Sequence, residues 1–155
     1  MAMELALIFP CMMVMFFGCF EVTQLVRAYM GLGVSTQSIA DLLSRNSPNT
    51  AAQITDACNG GKLVMAPFNG SNLKAAMAVV ANTAGKLSVT QQDTSCGSAA
   101  AITNATTIAS ALAPNAGDSV VIVQATYSYS AATSFLLPGS YTLSYVSYSR
   151  PRPGP

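Results

Sequence analysis

The chain has 155 residues, with seven Lys/Arg, six Asp/Glu and neither His nor Trp, for a formal net charge of +1. Charge this sparse and balanced makes no basic stripe for neutralising phosphates, so nucleic acid is excluded as an expected partner. With no imidazole base, no carboxylate pair at short spacing, no phosphate loop with its lysine and no cluster of metal ligands, no catalytic residue, cofactor site or metal site is expected.

Glu4 is followed by sixteen consecutive uncharged, mostly apolar residues, Leu5 to Phe20, and then by Glu21. That length is near the lower limit for crossing a bilayer, where about 20 residues are usual. No Lys or Arg precedes the run and no Ala-x-Ala pattern follows it, so it reads as a retained anchor and not as a cleaved signal. From Glu21 onward, Val22, Leu25, Val26, Tyr29, Leu32, Ile39, Leu42 and Leu43 recur at steps of three, four and seven, which predicts one apolar stripe on a helix. Run and stripe together predict a helix of about 40 residues, roughly 60 Å long. Pro10 removes an amide from that helix and Gly31 with Gly33 weakens its middle, so both places are expected to bend. Asn46-Ser-Pro48-Asn should end it.

Residues 46–73 carry Pro48, Asn59-Gly-Gly61, Pro67 and Asn69-Gly70 and read as a loop region. Ala75 to Gln92 predicts a hairpin turning near Asn82-Thr-Ala-Gly85. Ala99 to Ala113 is alanine-rich and predicts a short helix. Val121, Val123, Ala125, Tyr127 and Tyr129 alternate along one strand face, and Tyr141, Leu143 and Tyr145 along another, joined through Leu137-Pro138-Gly139. Packing is the default role for this tyrosine group, which Tyr148 extends, with an exposed contact patch as the alternative. Asn69-Gly-Ser and Asn104-Ala-Thr fit the N-glycosylation triplet, a pattern common by chance. The predicted class is α+β: residues 1–45 form a transmembrane then amphipathic helix, and residues 46–155 a small antiparallel β head with one short extra helix.

Four cysteines divide two and two. Cys11 and Cys19 lie in the apolar run about 12 Å apart along a helix, too far to bridge each other. Cys58 and Cys96 lie in polar, turn-rich sequence and either pair or remain as buried thiols; a bridge would place the head in an oxidising compartment. The basic residues all lie beyond the run, which by the positive-inside tendency favours a cytoplasmic head. Arg27 is the only one near the span, however, and a Cys58–Cys96 bridge points the other way.

Both ends of the chain resemble a known family. Glu4-Leu-Ala-Leu-Ile-Phe-Pro10, Phe17-Gly18, Glu21 and Arg27-Ala28-Tyr29 are similar to the N-terminal pattern of TadE-type proteins of bacterial tight-adherence (Tad) pilus systems. Gly117-Asp-Ser-Val-Val-Ile-Val, Tyr127-Ser-Tyr129, Leu137-Pro-Gly139, Leu143 and Arg150-Pro-Arg152 resemble the C-terminal one. The matched segments cover about half the chain, in the right order, and the middle is unmatched. The resemblance implies a pilin-like fold of the type IV pilus superfamily and a structural subunit, minor or major, held in the inner membrane with a periplasmic head before joining an extracellular pilus. Its implied partners are copies of itself or other pilins through the N-terminal helix, inner-membrane lipid, and the pilus secretion machinery. In the family a Glu is commonly the fifth residue of the mature chain; here it stands at position 4. The alternative is a single-span accessory subunit of a larger membrane complex with a periplasmic head.

Under the pilin reading, Glu4 pairs with a neighbouring subunit's N-terminal ammonium; otherwise it is an acid in the headgroup layer. Pro10 and Gly18 either mark a stretch that melts on assembly or are tolerated in a transmembrane helix. Glu21 and Arg27 are read as juxtamembrane charges facing headgroups or solvent, with an inter-subunit ion pair as the alternative.

Overall fold

A computed structural model describes residues 2–46, 48–131, 133 and 137–151, and side chains from Ile8 onward. Helix α1 (Ala2–Ser44) is followed by α2 (Ala51–Val64), a 3-10 turn (Gly70–Asn72), strands β1 (Leu73–Thr83) and β2 (Lys86–Cys96), a one-turn helix α3 (Ala105–Ala109), and strands β3 (Ser119–Ser130) and β4 (Ser140–Ser149). The strands form one antiparallel sheet in the order β2-β1-β3-β4. The α+β class expected from the sequence is the one observed.

Helix α1 runs unbroken through Pro10, Gly31 and Gly33 for 43 residues, about 65 Å at 1.5 Å per residue. The two glycines that were expected to weaken it are close-approach points. A Cβ on Gly33 would lie 3.4 Å from the Tyr145 ring, and one on Gly31 3.9 Å from Met65 Sδ. Tyr29 and Tyr145 also meet edge to face, with ring centroids 6.0 Å apart.

The predicted stripe on α1 divides in two. Leu32, Ile39 and Leu43 are buried and Leu25 packs beside them, but Val22, Val26, Tyr29 and Leu42 face outward. The buried face is completed by Glu21, Ala28, Ser35, Thr36 and Ala40. Its polar members are accommodated by hydrogen bonds: Thr36 Oγ1 donates to the Leu32 carbonyl at 2.6 Å, and Ser35 Oγ to the Gly61 carbonyl at 2.8 Å. A small hydroxyl bonded in this way lets two helices pack closely without leaving a buried polar atom unpaired.

The segment expected to be loop contains α2. Thr50 and Gln53 form a capping box, each side chain satisfying the other's backbone amide. Asn59-Gly-Gly61 reads as a turn in sequence, yet Gly61 is where α2 meets α1. A Cβ there would fall 2.5 Å from Ile39 Cδ1, so only glycine fits without displacement. The disulfide Cys58–Cys96, with Cα atoms 5.7 Å apart, joins α2 to β2. Both α1 and α2 thus lie on one sheet face, around Ala75, Met77, Val79, Val121, Val123, Ala125, Tyr127 and Tyr129. The head's core therefore includes α1 residues from Ala28 to Leu43, and it crosses the division drawn at residue 45.

Residues 97–118 cover the opposite face, where Ile102, Ala105, Ala109 and Ala113 pack on Ala76, Ala78, Val80, Val120 and Ile122. Only Ala105–Ala109 of this predicted helix is helical. The remainder is pinned by side chains reaching its carbonyls: Asn82 Nδ2 to Ala113, Gln92 Nε2 to Ile102 and Arg150 Nη2 to Leu112. These bonds replace those that a longer helix would have made internally. The β1–β2 turn is the predicted one, with Ala84 and Gly85 at positive φ as a two-residue hairpin requires. In the tyrosine group, Tyr127 and Tyr129 are buried, Tyr141 and Tyr145 pack at the edge of the core, and Tyr148 is exposed.

Candidate functional site

The N-terminal helix carries most of the residues singled out in the sequence, and it is the one described helix long and apolar enough to cross a membrane. From Ile8 to Phe20 most of its large side chains stand away from the head: Phe9, Met12, Met15 and Phe16 are each more than half exposed, while Phe17 is half-buried. Cys11 and Cys19 are free and exposed in the same stretch. Glu4 lies in the helix backbone, but its side chain is outside the described residues. Pro10 is exposed and Gly18 is buried three residues before Glu21. Glu4, Pro10 and Gly18 are spread over about 21 Å of helix, so the fold does not gather them within one chain.

Glu21 departs from expectation. It does not face headgroups or solvent but is 1% exposed. Its Oε1 accepts from the Thr133 hydroxyl, and its Oε2 accepts from the Leu137 backbone amide at 2.9 Å. The carboxylate fastens the β3–β4 connection to α1 at the level where the apolar run ends. A buried carboxylate needs such donors, because its charged form loses hydration otherwise. Those donors lie 112 and 116 residues along the chain, so no local pattern could have revealed the contact. Arg27, by contrast, is exposed and makes no ion pair among the described residues.

Beyond Phe20 the helix keeps a second apolar face. Val22, Val26, Met30 and Val34 recur every four residues and are 51%, 44%, 64% and 55% exposed. Residues four apart lie one above another on a helix, so this is a continuous stripe on the side turned away from the sheet. It extends the outward surface of the apolar run alongside the head, and Arg27 is the one charged residue between Glu21 and Asp41.

At the junction of helix and head lies a cleft of about 460 Å³, lined by Phe20 and Gln24 of α1, by Pro67, Phe68 and Asn69, and by Asn72, Tyr127, Tyr129 and Ser130. Burial raises the phenol pKa of Tyr127, opposed by its hydrogen bonds to the Asn72 side chain and the Asn69 backbone. Burial also raises that of Tyr129, with the charge of Glu21 acting in the same direction. Two further clefts, of about 630 and 450 Å³, lie beside Lys74 and Asn104 and at the far end of the sheet by Asn82 and Asp118. Among the described residues there is no group of three His, Cys, Asp or Glu placed to hold a metal. No protein-family model, no curated protein and no solved structure matches this chain.

Proposed function

We propose that this protein is a pilin-like structural subunit of a Tad-like type IV pilus, minor or major, which assembles through its N-terminal helix. The observation that carries the reading is the doubly apolar helix. One face is consumed by the head, and the other continues the apolar surface past the end of the lipid-length run. A helix serving only as an anchor has no need of Val26, Met30 and Val34 beyond the membrane. A helix that packs against other helices does.

In this reading the subunit waits in the inner membrane with its head in the periplasm. The Cys58–Cys96 bridge supports that placement, since disulfides persist in oxidising compartments. Leaving lipid for a helical bundle brings no large hydrophobic gain, because both surroundings are apolar. Direction must then come from specific packing along the stripe, from pairing of Glu4 with a neighbouring chain's N-terminal ammonium, and from work supplied by the secretion machinery. The head acts without chemistry of its own.

Shearing cells that make the natural protein, followed by mass spectrometry of released filaments and washed membranes, tests the reading. Recovery in filaments, with the mature N-terminus read directly, is expected. Retention in membranes with a fixed set of other proteins would overturn it in favour of a single-span accessory subunit.

A further inference from the structure

The cleft at the helix–head junction sits at the last residue of the apolar run. Phe20, which is 42% exposed, and Gln24, one turn on, form its α1 wall. Phe68 and Tyr129 meet edge to face across it with ring centroids 6.2 Å apart. Deeper into the head, Tyr127 is hydrogen-bonded to Asn72, and Asn72 Nδ2 donates to the Ser128 carbonyl at 3.2 Å. The lining is thus amphipathic, with ring carbons at the apolar end of the helix and amides and phenols towards the sheet. No lining side chain carries a charge.

We propose that this cleft holds one phospholipid of the membrane in which α1 is anchored. The start of an acyl chain lies against Phe20 and Phe68, and the glycerol and a zwitterionic headgroup lie against Gln24, Asn72 and the tyrosines. This inference rests on the membrane-anchored reading above. With α1 inserted up to Phe20, the mouth of the cleft stands at headgroup depth, where amphipathic aromatic rings are at home and phospholipid is the most concentrated ligand. Its volume is within the range of sites that enclose part of a small molecule. An anionic headgroup would find no Lys or Arg in the lining, so electrostatics gives it no advantage over a zwitterionic one.

The chain has no Trp, so Phe68→Trp provides a single emitter inside the cleft. The full-length variant in detergent micelles is titrated with phosphatidylcholine brominated near the glycerol end of its chains. Emission should fall by more than half, level off at one brominated lipid per protein, and recover with excess unbrominated phosphatidylcholine. Phosphatidylglycerol should compete no better. Phe20→Trp reads the same cleft from the helix should Phe68→Trp fail to fold, and Tyr148→Trp, at the far end of the sheet, should not respond. Phe16→Trp in brominated vesicles reports anchoring separately. The proposal is overturned if the cleft probes ignore brominated lipid while Phe16→Trp is quenched. It is equally overturned if their emission follows protein concentration instead, which would assign the cleft to a second copy. An unquenched Phe16→Trp would overturn the membrane reading with it.

Discussion

Replacing Cys58 and Cys96 together by alanine tests how far the head depends on the tie between α2 and the edge strand β2. The bridge spans 38 residues of sequence. In the chain-entropy account, a loop of that length removes about 13 cal/mol/K from the unfolded ensemble, or about 4 kcal/mol at 25 °C. Both sulfurs are buried, so their loss also removes packing, which adds about 1 kcal/mol. Alanine is preferred to serine, whose hydroxyl would be desolvated without a partner. Against the 5–15 kcal/mol typical of a folded domain, a loss of about 5 kcal/mol leaves the head near its threshold. Urea unfolding of the full chain in detergent micelles, followed by circular dichroism, measures it. At a slope of about 1–2 kcal/mol per M, the midpoint should fall by about 2.5–5 M, and by about 2–4 M for wild-type protein under reductant, which loses the bridge but keeps its sulfurs. A shift below about 0.5 M would refute the reasoning. It would mean that packing of Ile39, Ile54 and Met77 alone holds α2 in place.

Other substitutions probe the helix contacts. Glu21→Ala removes the acceptor of two head donors and should lower stability by about 1–3 kcal/mol in the same urea assay. Glu21→Gln, which keeps an acceptor oxygen, should lower it less, and an unchanged midpoint for both would dismiss the fastening role. Adjacent glycines of α2 should respond with opposite sign. Gly60→Ala meets only ordinary contact, 3.7 Å from Leu42 Cδ1, and should gain about 0.5–1 kcal/mol from helix propensity. Gly61→Val drives into Ile39 and should lose about 1–3 kcal/mol. Burial holds the phenol pKa values of Tyr127 and Tyr129 above the ordinary 10.0. Their neutral forms are favoured in the folded state, so this stability is fully present below pH 10 and is lost as pH rises through the raised folded values. Tyr129→Phe should therefore flatten the decline of the urea midpoint above pH 10; an unchanged alkaline slope would contradict it.

Elements marked by strong local patterns were legible in the sequence. The Leu5–Phe20 run, the β1–β2 hairpin and the alternating tyrosine strand each announce themselves within a dozen or so residues. Helix α2 was hidden because Gly60 and Gly61 serve helix–helix contact, and sequence alone cannot distinguish a glycine that admits a neighbour from one that makes a turn. In sequence the α1 stripe reads as one face, because periodicity marks apolar positions without saying which neighbour covers them. Small Ala28, Ser35, Thr36 and Ala40 join Leu32, Ile39 and Leu43 on the face that the head covers, while Val26, Met30 and Val34 are left outside. Residues 99–113 showed helix propensity, but tertiary bonds from Asn82, Gln92 and Arg150 took over most of the segment. Glu21 reads as a boundary charge, and its burial depends on a segment more than a hundred residues away.

In the proposed reading, the outer face of α1 is a surface between protein subunits. Val22→Cys with Met30→Cys, in a Cys11→Ser/Cys19→Ser background, places two thiols on that face in each chain. Oxidative cross-linking in intact cells should then give a ladder of bands at multiples of the subunit's own mass. Monomer alone, or a single adduct with a different protein, would contradict the account.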